Sequence, residues 1–369
     1  MKKARGAILW AALLAVAALS CLAPERQAGL QREALLRSRY GGWAGVLRLW
    51  VFEGWESGGS FASWLNAAAA AFEKAHAGVY IQLTEVGEDA MRAFAGGAAS
   101  PPDMILFPPG LLENPSSLLA LPGDWALRPG LESCGVVGET RYALPVAMGA
   151  YGIVFNRAAL DGLPADWSAL PDAPDLAGCE AWLDWPADGV YLRWSRAMDD
   201  LLAPSFREDA APQAPRAGEG LDLGLPAAAL PDRLPADFGQ SASVYDRFVN
   251  GGIAAMPATQ REIRRLQLLS DSGRGPDWAV APRASGYTDQ VALLAVTDCG
   301  KSEQAARQAL CLDFAARLVS GETQRNLRKA GAFPVIDLPP VYAGSEGMAQ
   351  LEAGLAAVEI SPAAAFGGQ

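Results

Sequence analysis

Trp55 stands in the segment Glu53-Gly-Trp55-Glu56-Ser57, where no helical or strand spacing would bury it. An indole face left at a loop can stack on a ring of a bound solute or cover it, and packing between lobes is the alternative. Glu53 and Glu56 beside it either accept hydrogen bonds from ligand hydroxyls or are solvated loop charges. Phe107 closes the apolar run Asp103–Phe107 and is followed by Pro108 and Pro109, which stiffen the next turn. It either meets a ligand or ends a strand as a core residue. Met148 and Tyr151 flank Gly149-Ala150. A Tyr at such a break presents ring and hydroxyl together, or packs on a sheet. Thr259-x-x-Glu262 is a capping box and marks a helix N-terminus, whose free N–H groups are hydrogen-bond donors. Gln260 adds a side-chain amide there, as a ligand contact or as part of a purely structural cap. Trp182, Trp185, Tyr191 and Trp194 form an aromatic-rich patch, mostly core, with Trp194 the candidate for stacking.

These groups stack and hydrogen-bond; nothing singles out a glycosidase-type carboxylate pair among them, though the partners in such a pair are set by the fold. The chain has one His, His76, in Phe72-Glu-Lys-Ala-His76 at the end of a helical pattern. A His there suits the terminal carbonyls. One His excludes a His-rich zinc site and disfavours Ser-His-Asp or Cys-His catalysis. No S-x-x-K, G-x-S-x-G, G-x-G-x-x-G or Walker-type loop occurs. No metal, cofactor or catalytic residue is therefore expected. The net charge of -11 argues against nucleic acid, which needs concentrated Lys and Arg. No dense Arg or Lys cluster falls among the candidate loops. A neutral polyhydroxylated solute fits them best, with polyamines or other cations as the alternative.

The elements that position these residues follow from periodicity. Val46–Phe52 reads as a strand. Phe61, Trp64, Leu65, Ala68 and Phe72 recur at helical spacing, with Ser60 as N-cap and Gly78 as stop. Val79, Ile81 and Leu83 alternate as a strand, and Asp103–Phe107 forms another. Strand, helix, strand in close order predicts a parallel sheet with right-handed crossovers. In such sheets ligands bind beyond the carboxyl ends of the strands. Arg141–Asn156 reads as two extended runs around a Met148-Gly149 break, a chain passing from one lobe to another. Pro204–Phe238 is rich in Pro, Ala and Asp and reads as a surface excursion.

The N-terminus has an export pattern. Lys2, Lys3 and Arg5 precede the apolar run Ala7–Leu19, which is shorter than the roughly 20 residues that span a bilayer. Ala18-Leu-Ser-Cys21 resembles a bacterial lipobox, which would make Cys21 the lipidated mature N-terminus; cleavage by an ordinary signal peptidase is the alternative. Beyond Cys21 the cysteines are Cys134, Cys179, Cys299 and Cys311, which allow three pairings. Cys299 and Cys311 are close in sequence and are the first choice if any pair forms.

Several segments resemble the extracellular solute-binding proteins of ABC importers, the group that includes the maltose-binding protein. Arg141–Asn156 resembles their hinge crossover. Leu163–Leu170 resembles a segment early in the second lobe, with Asp166 where Thr is usual. Asn250, Gly251, Ala254, Ala255 and Met256 match "N-G-K-A-A-M". Phe314, Leu318, Ser320, Glu322, Gln324, Gly331, Pro334 and Val335 match the terminal helical segment. Their joint order spans most of the chain, and 182–238 matches weakly. The loop after Met256 departs from the maltose-type pattern, with Pro257, Ala258, Thr259 and Gln260 where those relatives have a Trp.

The resemblance implies an α/β, two-lobed periplasmic-binding-protein-like fold. Each lobe would be a mainly parallel sheet flanked by helices, joined by a hinge with multiple crossovers. The expected division is signal peptide 1–21, tether 22–45, first lobe 46–149 plus 280–324, and second lobe 150–279 plus 325–369. It further implies a Gly-rich loop near the ligand at Ser285–Asp289, which adds Tyr287 and Asp289 to the candidates. The expected function is capture of a small solute, a sugar or oligosaccharide, for delivery to ABC permease transmembrane subunits. The protein would be a monomer, held to the outer face of the cell membrane by its lipid or free in the periplasm. A ligand sensor for a membrane kinase, or an extracytoplasmic carbohydrate-active enzyme, is the alternative.

Overall fold

Leu47, Leu49 and Val51 alternate with more exposed residues and so give the first strand, β1 (Gly45–Val51), one buried face. Around it the computed structural model describes residues 43–55, 57–95, 101–112, 114–158, 181–183, 244–280, 290–298, 304–355 and 366. The expected signal segment, Cys21, the 163–170 match, residues 184–238, and Cys179 and Cys299 fall outside them. Strand β1 starts at the last residue of the expected tether, since Gly45 already pairs with Val79.

Helix α1 (Phe61–Ala75) starts at Ser60, whose side chain accepts from the Ser63 N–H, as its sequence predicts. Its stripe Phe61, Trp64, Leu65, Ala68 and Phe72 is buried. His76 ends it: Nδ1 lies 2.9 Å from the Phe72 carbonyl oxygen and the ring stacks on Phe72 at 3.9 Å. Strand β2 (Val79–Glu85), helix α2 (Glu88–Ala95) and strand β3 (Met104–Phe107) follow. After the short pair β4 (Val136–Val137) and β5 (Thr140–Arg141), the run read as a crossover becomes β6 (Leu144–Met148) and β7 (Tyr151–Asn156). Next come β8 (Ala181–Leu183), α3 (Val244–Val249), β9 (Ile253–Thr259), α4 (Gln260–Asp271), β10 (Trp278–Val280) and β11 (Val291–Val296). The C-terminal part supplies α5 (Gln304–Leu318), α6 (Gly321–Arg325), α7 (Leu327–Ala330) and α8 (Glu346–Gly354). Among the described residues no helix is long and apolar enough to cross a membrane.

Two main sheets form, ordered β2-β1-β3-β11-β6 and β10-β7-β9-β8. Both are mixed. In the first, β2, β1, β3 and β6 share a direction and β11 opposes them. In the second, β10, β9 and β8 share a direction and β7 opposes them. The reversed strand in each sheet is the one the chain enters on arriving from the other lobe. A crossover leaves from the carboxyl edge of one sheet and arrives at the facing carboxyl edge of the other, so it must run backwards along its new neighbours. Every residue of β3, β6 and β11 is buried, as expected of strands covered on both faces.

Two details differ from the expected lobe limits. Val280 pairs with Val154 in the second sheet, and the return to the first sheet begins at Gln290-Val291. Residues 325–335, expected in the second lobe, lie on the first: α7 packs against α1, and Phe333 exchanges backbone hydrogen bonds with Met148. The stripe Leu310, Phe314 and Leu318 that resembled the family's terminal helix is wholly buried. Gln324 in the same segment is also wholly buried. Its amide donates to the Val146 and Leu318 carbonyls and accepts from the Val335 N–H, which ties the segment to β6. Cys134 is a free, buried thiol and Cys311 is buried on α5.

Candidate functional site

At the carboxyl ends of β1 and β3 a small pocket, about 10 Å³ of enclosed space or room for about one water, opens to solvent and is lined by Phe52, Glu53, Gly54, Trp55, Ser57, Phe61, Leu106, Phe107, Pro108 and Ala292. This is where an open sheet places a ligand. Two of the predicted loops build it together. They approach so closely that a side chain at Gly54 would put its Cβ 2.2 Å from Pro108 Cγ, so only glycine fits there. Trp55 is half-buried and meets Phe61 edge-on, with centroids 6.2 Å apart and planes at 61°. Phe107 is wholly buried. It ends β3 as a core residue and also forms part of the cavity wall.

Among the described lining residues Glu53 brings the one carboxylate. Loss of hydration against the wall, and then repulsion from Glu85, push its pKa above the ordinary carboxylate value. An acceptor beside aromatic faces suits a ligand that offers hydroxyl or ammonium donors. Among the described residues no group of His, Cys, Asp and Glu could hold a metal ion.

The other described candidates form a second cluster at the crossover. Met148 is buried at the end of β6. Tyr151 pairs through its backbone with Thr259. The capping box read from the sequence is present: the Thr259 hydroxyl accepts from the Arg261 N–H and contacts Glu262, whose carboxylate accepts from the Thr259 N–H at 2.9 Å. Gln260 is wholly buried. Its Oε1 accepts from the Ala150 N–H at 2.9 Å and its Nε2 donates to Gln290 Oε1 at 2.8 Å. Gly149 donates to the Gln290 carbonyl at 2.7 Å, and a Cβ on it would come within 2.2 Å of Gln290 Oε1. Gln260 thus joins two chain crossovers. Glu56, Trp194, Tyr287 and Asp289 lie outside the described residues.

The cavity also contains residues that sequence reasoning assigned elsewhere or passed over. Phe61 read only as a core position of α1, and Ala292 carries no signal. Phe52 and Pro108 were within reach, since they adjoin the predicted loops.

The fold is two-lobed, and the pocket sits at the carboxyl edge of its first sheet. Residues 57–282 match the model of the bacterial extracellular solute-binding protein family, and the chain belongs to that family. No curated protein matches it in sequence. Among solved structures it is similar to the sugar-binding protein MalE from Xanthomonas citri (14% identity, 86% of this chain and 87% of that one, TM-score 0.59). It is equally similar to the cyclic α-maltosyl-1,6-maltose binding protein from Arthrobacter globiformis (16% identity, 87% and 89%, TM-score 0.59). Iron-bound HitA from Pseudomonas aeruginosa also shares the fold (16% identity, 88% and 95%, TM-score 0.51). Likeness at this level concerns the fold.

Proposed function

We propose that this protein is the solute-capturing component of an ABC import system and that its solute is a sugar or oligosaccharide. The observation that carries the reading is the pocket at the carboxyl ends of β1 and β3, where half-buried Trp55 offers a ring face, backed by buried Phe61 and Phe107, and Glu53 supplies an acceptor. Ring faces match the apolar faces of pyranose rings, and a carboxylate matches their hydroxyls. Similarity of fold to MalE and to the maltosyl-maltose binding protein supports the same ligand class. The solute would be held between the lobes, with closure selecting the bound state. Delivery to permease transmembrane subunits, and a lipid anchor at Cys21 on the outer face of the membrane, complete the reading. The mechanism needs no catalytic step and no cofactor.

A thermal-shift screen of the mature chain tests it, with mono- and oligosaccharides against amino acids, polyamines and phosphate esters. A ligand at 100 times its dissociation constant adds about 2.7 kcal/mol to the folded state. The expected result is a shift with a saccharide that Trp55→Ala weakens by about tenfold in affinity, or ~1.4 kcal/mol. A shift confined to amino acids, polyamines or phosphate esters would overturn the ligand class.

A further inference from the structure

The loop that carries Glu53 and Trp55 ends at Ser57, Gly58 and Gly59, and there the second lobe touches the first. A Cβ on Gly58 would lie 3.0 Å from the carbonyl oxygen of Gln260 and 3.0 Å from Arg264 Cδ, both on α4. On its other side the loop presses on the end of α7. A Cβ on Gly59 would lie 2.4 Å from the Lys329 carbonyl oxygen, and one on Gly331 would lie 2.7 Å from Gly58 Cα. Arg264 closes this three-way contact. Its Nη1 donates to the carbonyls of Arg328 and Lys329, each at 3.2 Å. These are carbonyls at the C-terminal end of α7, where a guanidinium is favourably placed.

We propose that Arg264, on the second lobe, is a positioning residue for the solute loop of the first lobe. The inference rests on the reading of the Glu53–Trp55 cavity as the solute site. Arg264 holds the α7 terminus against α4, and Gly58 and Gly59 fill the gap between them without side chains. The shape of the loop from Glu53 to Ser60 then depends on where α4 sits. Because α4 begins at Gln260, which is tied to the crossover at Ala150, hinge position and solute-loop shape belong to one equilibrium. A solute that orders the loop also favours one lobe arrangement, without touching α4.

The test needs no ligand. Hydrogen exchange by mass spectrometry on the full mature chain would follow peptides covering 53–60, with ligand-free small-angle scattering alongside. Arg264→Met should raise exchange in 53–60 by about fivefold or more, the low end of coupling between sites, and should enlarge the radius of gyration. Arg264→Lys, which keeps a donor, should restore much of the protection. Gly58→Ala, which keeps Arg264 but wedges a methyl against the Gln260 carbonyl, should act in the same direction as Arg264→Met. Arg265→Met is the control: Arg265 stacks over Tyr245 at 3.9 Å and is exposed, so 53–60 should be unchanged. Folded Arg264→Met and Gly58→Ala proteins with wild-type exchange in 53–60 and an unchanged radius would overturn the proposal, whatever the solute proves to be.

Discussion

Gln260 and Gln290 hold each other through a hydrogen bond of 2.8 Å between their side-chain amides, in the interior where the chain changes lobes. The pair gathers three strands of chain. Gln260 accepts from Ala150 on the outward crossover, and Gln290, which accepts from Gly149, opens the return strand. A buried amide network of this kind fixes geometry strongly, because each broken partner leaves a desolvated polar group.

Gln260→Ala and Gln290→Ala should therefore each cost about 1–3 kcal/mol of stability. In urea denaturation the double mutant should fall short of the sum by about 0.5–3 kcal/mol, as for residues in one network. Additive effects would mean the two amides act independently.

Asp103 predicts a second large effect. It is 4% exposed, accepts from the Arg48 N–H at 2.7 Å and from Arg307 Nη2 at 2.7 Å, and so joins β1 to α5. Asp103→Ala should cost about 3–5 kcal/mol. Asp103→Asn should cost less, since its amide oxygen still accepts from Arg48. Denaturant midpoints at constant slope would check the order.

These two clusters mark what the sequence makes legible. Local signals were read correctly: Ser60 and the Thr259–Glu262 box as caps, the buried stripe of α5, and the crossover around Gly149. Each depends on neighbours within a few residues. The reversed directions of β7 and β11 were not legible, because direction is set by strands far away in the chain. Gln260 read equally as a cap residue or a ligand contact, because its partner lies 30 positions on. Within the cavity Trp55 stood out because no periodicity claimed it, whereas Phe61 was hidden by serving α1 at the same time.

Gly331 ends α7 with φ of 75°, the left-handed region, and its Cα faces Gly58. Gly331→Ala should destabilise by more than about 1 kcal/mol, beyond any entropy gain in the unfolded chain. A thermal melt of the variant, compared with Gly273→Ala at an unobstructed positive-φ glycine, separates the clash from the backbone cost.

Burial pushes the Cys134 thiol up to about 12. Its folded value lies above the unfolded value of about 8.5, so the folded chain holds the proton longer. Its contribution is complete below pH 8.5 and is lost as pH rises toward 12, at about 1.4 kcal/mol per pH unit. Cys134→Ala should flatten that alkaline decline. A thiol reagent at pH 8 should label Cys134 only in denaturant.

Cys21→Ser should move the protein from the membrane fraction to the soluble exported fraction if Cys21 is lipidated. Lipid-adduct mass spectrometry of the mature N-terminus gives the same answer directly. An unmodified mature terminus would assign processing to an ordinary signal peptidase and remove the anchor from the account.

The most direct test of solute capture between two lobes is small-angle scattering with and without a saturating saccharide that the thermal-shift screen has shown to bind. The bound state should have a smaller radius of gyration, and that change should be lost when Trp55→Ala abolishes binding. Proven binding with an unchanged radius would contradict the closing cleft and place the solute outside the interlobe site.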